Sequence, residues 1–348
     1  MKRIAHSAMS LRRALLLLLL SALMSCRNGG LLPRSGGQLY EVLLVGDTAG
    51  MVRRALSADV EGLPQPEPSF DVSEVSTKAF GNTLRYTRNI VIVDINAEAY
   101  TRPSIRSERN VWAQPQTVVH IGAPSATVLH NSIDSIGRRL RILLNRSEAR
   151  KQLSMLRHER HVKAEKFVRK MFGIELWIPA DMIACKQSKD FLWLSNNSAT
   201  MMQNIVVYRD WSPVTASDVK ANHGGRDVKT VGFIDSESRY FMGARDYMLG
   251  RNILGETDSM HMATVPESVL TDGRGFYRGL WMMTGDAMGG PFVSRTLPLQ
   301  QPDRQGNLVC RHIVVEGFVF APGKTKRNAV RRLEAVLYTM RQAKLTDH

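Results

Sequence analysis

A long helical pattern in the middle of the chain separates two sets of strand patterns, and this division limits the folds that the chain can adopt. Apolar residues recur at helical spacing from Leu129 to Leu143, and Ser125 is a good N-cap for a helix that begins there. A second helical pattern covers about residues 147–172 and ends at Gly173, a typical helix-terminating glycine. We therefore expect two lobes that are joined by a helical segment, residues 125–173.

The N-terminal lobe, residues 39–124, is expected to combine strands with one helix. Strand patterns occur at residues 40–45, 89–95 and 111–121. The second of these is a near-continuous run of β-branched residues, which is typical of a strand buried on both faces. Asp71 or Ser73 is a suitable N-cap for a helix that runs through Thr83.

The C-terminal lobe, residues 174–348, is expected to be rich in antiparallel strands. Strand patterns occur at residues 174–178, 191–194, 204–208, 260–265, 275–283, 291–297 and 308–320. Glycine-rich and proline-rich turns separate the last three, which predicts a meander. Helices are expected at residues 238–249 and 325–343, and a polar loop at residues 212–227.

Strands and helices do not alternate regularly enough for a doubly wound sheet. The sequence therefore predicts an α+β fold with two lobes of mainly antiparallel sheet and flanking helices, joined by the long basic helical segment.

The first 25 residues have the features of a lipoprotein signal peptide. Basic residues precede an apolar run at residues 14–24, which is too short to span a bilayer. Cys26 follows directly, so we expect it to be acylated and to become the first residue of the mature protein. Residues 26–38 form a glycine-containing flexible tether. The alternative is an ordinary signal peptide followed by an incidental cysteine.

The signal predicts a lipid-anchored protein of the cell envelope, in the outer membrane and facing the periplasm. The absence of acidic residues before Glu41 favours the periplasmic side. Binding of nucleic acid is not expected in this compartment.

The net charge of +15 is concentrated in two segments. Four basic residues belong to the signal peptide, and residues 138–170 and 324–348 carry net charges of +9 and +5. One interpretation is two solvated helix faces, and the other is a docking surface for anionic lipid or an acidic envelope protein. The candidate contact residues are Arg138, Arg139, Arg150, Lys151, Arg160, Lys326 and Arg327.

Motifs for catalysis or metal binding are largely missing from the sequence. There is no nucleophile elbow and no phosphate-binding loop. His158 and His161 are spaced to share a helix face, and residues 260–262 (Met-His-Met) resemble soft metal ligands, but core packing is favoured for the two methionines. Cys185 and Cys310 are expected to be separate buried thiols, with a disulfide as the alternative. We predict no catalytic residue, cofactor or metal.

A ligand groove is predicted near a glycine pair in the C-terminal lobe. Arg278, Trp281 and Asp286 would form its wall, and Gly289 and Gly290 would allow close approach of the backbone to a ligand. Asp286 beside a glycine turn is also a common turn former.

Several stretches of the chain resemble a family of bacterial lipoproteins known as domain of unknown function 4837. They are residues 62–65, 88–96, 113–116, 190–195, 278–293 and 316–340. The resemblance extends over nearly all of the mature chain, and residues 288–292 and 326–328 are its most specific parts. It implies an envelope lipoprotein and brings no known activity, cofactor or catalytic residue.

The sequence therefore favours a non-enzymatic, lipid-anchored module for binding or envelope assembly. The alternatives are an envelope hydrolase with a non-standard site and a ligand-carrying lipoprotein, which would have an apolar cavity between its lobes.

Overall fold

The computed structural model describes residues 32–210, 236–257, 259–302 and 308–343. The predicted signal peptide, Cys26, most of the tether and the predicted loop at residues 212–227 lie outside these ranges. Within them, no helix is both long and apolar enough to cross a membrane.

The N-terminal lobe is a five-stranded sheet with two helices on one face. Its elements are β1 (Glu41–Val45), α1 (Met51–Leu56), β2 (Asp71–Val75), β3 (Asn89–Ile95), β4 (Ser104–Arg109), β5 (Thr117–Ala123) and α2 (Ala126–His158). The strand order is β2-β1-β3-β5-β4. A core of apolar side chains from β1, β3 and β5 packs against α1 and α2, and a smaller core covers the other face.

Pairing in this sheet is parallel for β1 with β2, β1 with β3 and β3 with β5, and antiparallel only for β4 with β5. The parallel arrangement differs from the antiparallel pairing that we expected in this lobe. It agrees with the buried β-branched run of β3, because strands inside a parallel sheet are covered on both faces.

The prediction of a helix at residues 71–83 is wrong, because the first five of these residues form strand β2 (Asp71–Val75). Asp71 to Val75 pair in register with Glu41 to Val45 of β1. Phe70 is buried immediately before this strand, and the polar side chains of Asp71, Ser73 and Glu74 are exposed at the sheet edge. Tertiary pairing therefore overrides a local pattern that resembles a helix cap.

The helical segment contains two helices, and both of its predicted ends are confirmed. The Ser125 hydroxyl accepts a hydrogen bond from the Val128 amide (3.3 Å), and Gly173 ends the second helix in the left-handed conformation (φ 72°). Helix α2 continues without a break to His158, and α3 (Val162–Phe172) begins after a short interruption. The interruption therefore lies later than the expected position near residue 147.

The C-terminal lobe is built on a seven-stranded antiparallel sheet. Its elements are β6 (Ile174–Glu175), β7 (Ala184–Ser188), β8 (Phe191–Ser195), β9 (Met202–Asp210), α4 (Ser236–Asn252), β10 (Met262–Thr271), β11 (Phe276–Met283), β12 (Gly289–Pro302), β13 (Leu308–Phe320), α5 (Arg327–Tyr338) and β14 (Arg341–Gln342). The strand order is β10-β11-β12-β13-β9-β8-β7, and β6 pairs with β14 separately.

Helices cover both faces of this sheet. Helices α3 and α5 pack on one face, and α4 packs on the other. The predicted meander is confirmed in β11, β12 and β13, each of which pairs with the next. The α+β fold is therefore confirmed.

Candidate functional site

A cleft of about 770 Å³ lies between the two lobes. One wall is the face of α2 that carries Arg141, Asn145 and Arg150, and the opposite wall is formed by α5 with Arg278 of β11. The loop at residues 58–63 and Tyr40 complete the lining. The site thus combines side chains from distant parts of the chain.

Arg278 contributes a charged group from the large sheet. Its Nε donates to Glu334 Oε1 of α5 at 2.7 Å, and its side chain remains about half exposed. Burial lowers the pKa of Arg278, but the Glu334 carboxylate more than compensates, so that the pKa is raised and the guanidinium stays charged. Gly62 lies close against the aliphatic part of this side chain, and its φ of +79° is suited to glycine.

Arg331 of α5 lies beside Tyr40 and is mostly buried. Its guanidinium carbon lies 4.0 Å from the centre of the Tyr40 ring, and Nη1 donates to the Ser69 carbonyl at 2.9 Å. Burial lowers the pKa of Arg331. Tyr40 and Glu334 oppose this effect, whereas the nearby positive charges of Arg327 and Arg278 add to it. Of these three arginines, Arg278 and Arg327 pair with Glu334 and Asp71, whereas Arg331 makes no ion pair with a residue that the structure describes.

Arg327 joins the two lobes at the edge of the cleft. Its Nη2 lies 2.5 Å from Asp71 Oδ2, and its Nη1 donates to the Pro68 carbonyl at 2.5 Å. The backbone amides of Lys326 and Arg327 donate to the Glu67 carboxylate at 2.7 and 2.8 Å. These bonds connect the start of α5 to the loop and strand of the other lobe.

The α2 wall offers cations that have few partners. Arg141 Nη1 donates to the Ala55 carbonyl at 2.6 Å. Arg146 and Arg150 are exposed and make no hydrogen bond or ion pair with any residue that the structure describes. Buried Asn145 Oδ1 has no hydrogen-bond partner among the same residues. This wall therefore presents two exposed guanidinium groups whose donors have no partner among the described residues.

Arginines outnumber carboxylates in the cleft lining. The arginines are Arg141, Arg146, Arg150, Arg278, Arg327 and Arg331, and the carboxylates are Asp59, Glu61 and Glu334. Guanidinium groups bind phosphate and carboxylate groups through paired hydrogen bonds, and they keep their charge at any physiological pH. The chemistry best matched by this lining is recognition of an anion.

A second groove, of about 530 Å³, lies on the other side of the Arg146 and Arg150 side chains. Four arginines line it: Arg146 and Arg150, which it shares with the cleft, Arg139 of α2, and Arg109 of β4. The rest of the lining consists of polar and apolar side chains. No carboxylate is among its lining residues. A third hollow has a volume of about 490 Å³. Its lining includes Arg138 and the oppositely charged Asp134.

The sequence profile of the domain of unknown function 4837 matches residues 161–223 and 227–339, just over half of the chain. The chain belongs to this family. A second profile, domain of unknown function 8532, matches residues 35–157. No curated protein and no solved structure matches the chain.

The family 4837 region thus begins between α2 and α3 rather than near the start of the mature chain. The resembling stretches at residues 62–65, 88–96 and 113–116 lie within the 8532 match. The expected extent of the resemblance is corrected accordingly. The cleft lies where these two matched regions meet, and each region contributes arginines to it.

The five residues of the predicted groove in the family 4837 region do not line one groove. Arg278 lies in the cleft, whereas Trp281 is buried against the α4 face of the sheet and donates from Nε1 to the Val319 carbonyl at 3.2 Å. Asp286 is exposed and forms a turn, accepting from the Ala287 amide at 2.6 Å. Successive side chains of a strand point to opposite faces, so Arg278 and Trp281, which are three positions apart on β11, face opposite sides of the sheet.

Gly289 and Gly290 also serve packing between strands. A Cβ at Gly289 would lie 2.8 Å from the Trp281 carbonyl oxygen, and a Cβ at Gly290 would overlap the Val319 carbonyl oxygen. These glycines therefore allow the backbone of a neighbouring strand to approach closely, whereas the sequence prediction assigned this role to a ligand.

The predicted anionic-surface residues are divided between surface and interior. Arg138, Arg139 and Arg150 are exposed on α2. Arg160 pairs with Glu165 and lies over the Trp177 ring at 5.0 Å. Lys151, Lys326 and Arg327 are buried, so the expectation that they face an anionic surface is corrected. A count of the charges in a helical segment does not show which basic side chains are buried in a polar network and which are exposed to solvent.

Lys151 belongs to a buried polar network around Glu148. Its Nζ donates to Glu148 Oε1 at 2.9 Å and to Asn89 Oδ1 at 2.7 Å, and Arg88 Nε donates to the same carboxylate at 2.9 Å. Burial lowers the pKa of Lys151 to about 8, although Glu148 opposes the shift. This network holds α2 against the N-terminal sheet.

The weak metal candidates are not brought together. No group of three histidine, cysteine or acidic side chains suited to a metal occurs in the described ranges. His161 Nδ1 accepts from the Ala164 amide as the cap of α3, and His158 ends α2. Met262 is buried and Met260 packs against the same core, which agrees with the favoured packing interpretation.

The two cysteines are far apart. Cys185 is exposed and free, so the expectation that it is a buried thiol is wrong. Cys185 lies on β7 and the backbone of Cys310 on β13, with two strands between them and a register offset of seven residues. A disulfide requires Cα atoms within about 7 Å, so these two cysteines cannot be bridged in this fold.

A buried ion pair in the C-terminal lobe was not predicted. Arg245 of α4 is fully buried, and its Nε and Nη2 donate to Glu316 of β13 at 2.9 and 2.7 Å. Its guanidinium carbon lies 4.1 Å from the centre of the Phe292 ring. The polar position within an otherwise apolar helix face was the only signal in the sequence.

Proposed function

We propose that this protein binds an anionic ligand in the cleft between its lobes and acts while anchored to a cell-envelope membrane through Cys26. The observation that carries the binding proposal is the convergence of two groups of arginines. One group comes from α2, and the other comes from α5 and β11. Neither group is matched by an equal number of carboxylates.

Partial burial of the cleft arginines strengthens their attraction for an anion. Arg331 is mostly buried, and only Nη1 of its guanidinium has a hydrogen-bond partner among the described residues. Charges interact more strongly near a low-dielectric surface than in water. An anion that enters the cleft would relieve the repulsion between Arg331 and its neighbours Arg327 and Arg278.

Binding is favoured over catalysis by the composition of the lining. No histidine is among the residues that line the cleft, and the Glu334 carboxylate is held by Arg278. A hydrolase would need a nucleophile or an activated water next to a positioned base. The ligand-carrying alternative shares the interlobe cavity, but the cavity seen here is cationic rather than apolar.

The binding proposal is tested by calorimetric titration of full-length protein in detergent with inorganic pyrophosphate and with citrate. We expect at least one of these anions to bind, and Arg150→Gln or Arg146→Gln to weaken binding about tenfold, because each removes a charge-assisted contact. Arg138→Gln is the matched control, since it removes the same charge from α2 outside the cleft. Absence of binding for both anions, or an equal effect of the control, contradicts the proposal.

The anchoring proposal rests on the signal pattern and the position of Cys26 after it. Cells that express the protein are labelled with a fatty acid and fractionated. We expect Cys26→Ser to lose both the label and retention in the membrane fraction. The exposed Cys185→Ser variant should keep both. Label that persists in Cys26→Ser contradicts the proposal.

A further inference from the structure

Two of the cleft arginines also line the second groove, so the two cavities adjoin at these side chains of α2. Arg146 and Arg150 are common to both linings. We propose that the ligand is an extended polyanion, a chain of repeated phosphate groups, that passes from the interlobe cleft over α2 into the second groove. This inference rests on the proposed function and specifies its ligand.

The spacing of the arginines on α2 suits an elongated ligand. Arg139, Arg146 and Arg150 are separated by seven and four residues, so they lie on one side of the helix. The rise of an α-helix places the first and last of them about 16 Å apart along its axis. A small anion contacts only part of this row, whereas a chain can contact all of it.

The second groove extends the positively charged surface of the cleft, and no carboxylate in its lining offsets that charge. Arg109 and Arg139 belong to its lining. Arg139, Arg146 and Arg150 are exposed, and within the described ranges their side chains make no ion pair. Closely spaced cations with no partner attract a ligand that carries several negative charges.

A phosphate chain fits this surface better than an acidic peptide. Successive side chains of an extended peptide point to opposite sides, so half of its carboxylates would face away from the arginines. The charged oxygens of a polyphosphate are arranged all around the chain. Guanidinium groups also match phosphate oxygens through paired hydrogen bonds.

The experiment compares long-chain polyphosphate with pyrophosphate, using full-length protein in detergent and calorimetric titration at several salt concentrations. We expect long-chain polyphosphate to bind at least about tenfold more tightly and with a steeper dependence on salt, because more contacts release more counterions. Poly-glutamate of similar length is the comparison for an acidic polypeptide.

The variants separate the second groove from the cleft. Arg139→Gln should weaken binding of long-chain polyphosphate about fivefold and reduce the salt slope by about one, while pyrophosphate binding stays unchanged. Arg138→Gln is adjacent on α2 and removes the same charge, but it lines neither cavity. It should leave both affinities nearly unchanged.

Each other outcome overturns the inference. If pyrophosphate binds but long-chain polyphosphate has no advantage, the ligand is a small anion, and the proposed function survives alone. If poly-glutamate binds as tightly as polyphosphate, the partner is an acidic polypeptide. If Arg138→Gln acts like Arg139→Gln, the attraction is general and the path over α2 is not used. If no anion binds, the proposed function itself fails.

Discussion

The Glu67 carboxylate accepts a hydrogen bond from the backbone amide of Arg327 at 2.8 Å, although the two residues are 260 positions apart. Its other oxygen accepts from the Lys326 amide at 2.7 Å. Lys326 occupies the N-cap position of α5 and supplies no side-chain cap of its own. A residue of one lobe therefore caps a helix of the other, beside the proposed binding cleft.

Replacing this carboxylate should destabilise the fold. Glu67→Gln keeps one acceptor oxygen but removes the negative charge at the start of α5, where the exposed amides and the helix dipole favour an anion. We expect the free energy of unfolding to fall by about 1–2 kcal/mol, which urea denaturation monitored by circular dichroism would measure.

Glu61→Gln is the control, because Glu61 is an exposed residue of the same loop. Its effect should stay within about 0.5 kcal/mol. Equal losses in the two variants would show that the cap is not a specific contribution.

The buried network around Glu148 should make stability depend on pH. Burial raises the pKa of Glu148, but Lys151 and Arg88 more than offset this effect, so that the pKa lies below its ordinary value. The ionised carboxylate therefore stabilises the fold above its unfolded pKa, and this contribution is lost as the pH falls through its folded pKa.

The variant Glu148→Gln leaves Lys151 and Arg88 buried without a counter-charge. We expect a loss of about 3 kcal/mol at neutral pH, and a smaller difference from the unmodified protein below about pH 4. Urea denaturation at several pH values would measure both. Glu159→Gln, at an exposed position after α2, should show neither effect. A difference that is independent of pH would contradict the assigned ion pairs.

Features that depend on neighbouring residues were predictable from the sequence. The Ser125 cap, the Gly173 stop and the β11–β13 meander each follow from local patterns, and the structure contains all three. The strand at β2 was missed because its pairing with β1 outweighs the local signal for a helix.

The site was only partly predictable, because its contacts join residues that are distant in the chain. Arg278 and Arg150 were singled out separately, for a groove and for a charged surface, and the structure brings both into one cleft. Nothing in a charge count indicates that Arg278 pairs with Glu334, or that Lys151 turns inward to Glu148. Only the packing of α2 and α5 determines which cations remain free.

The glycine pair on β12 should tolerate no side chain. In Gly290→Ala the new Cβ would overlap the Val319 carbonyl oxygen, so strand β13 must move. We expect a loss of at least about 3 kcal/mol in the free energy of unfolding. Gly36→Ala is the control, since no atom lies within 4 Å of the added Cβ. A stable Gly290→Ala protein that has lost ligand binding would instead support a ligand at this position.

The buried Arg245–Glu316 pair should show a strong dependence on both partners. Arg245→Met leaves the fully buried Glu316 carboxylate without its counter-charge, and we expect a loss of about 3–5 kcal/mol in the free energy of unfolding. Arg251→Met, at an exposed position on the same helix, should change it by no more than about 0.5 kcal/mol.

The double variant Arg245→Met with Glu316→Leu discriminates between loss of charge pairing and loss of packing. Because it removes both charges, it should recover much of the stability lost by Arg245→Met alone, even though Thr264 and Ser294 each lose one partner. Additive losses in a double-mutant cycle, measured by urea denaturation, would show that Arg245 and Glu316 stabilise the fold independently and would contradict the assigned ion pair.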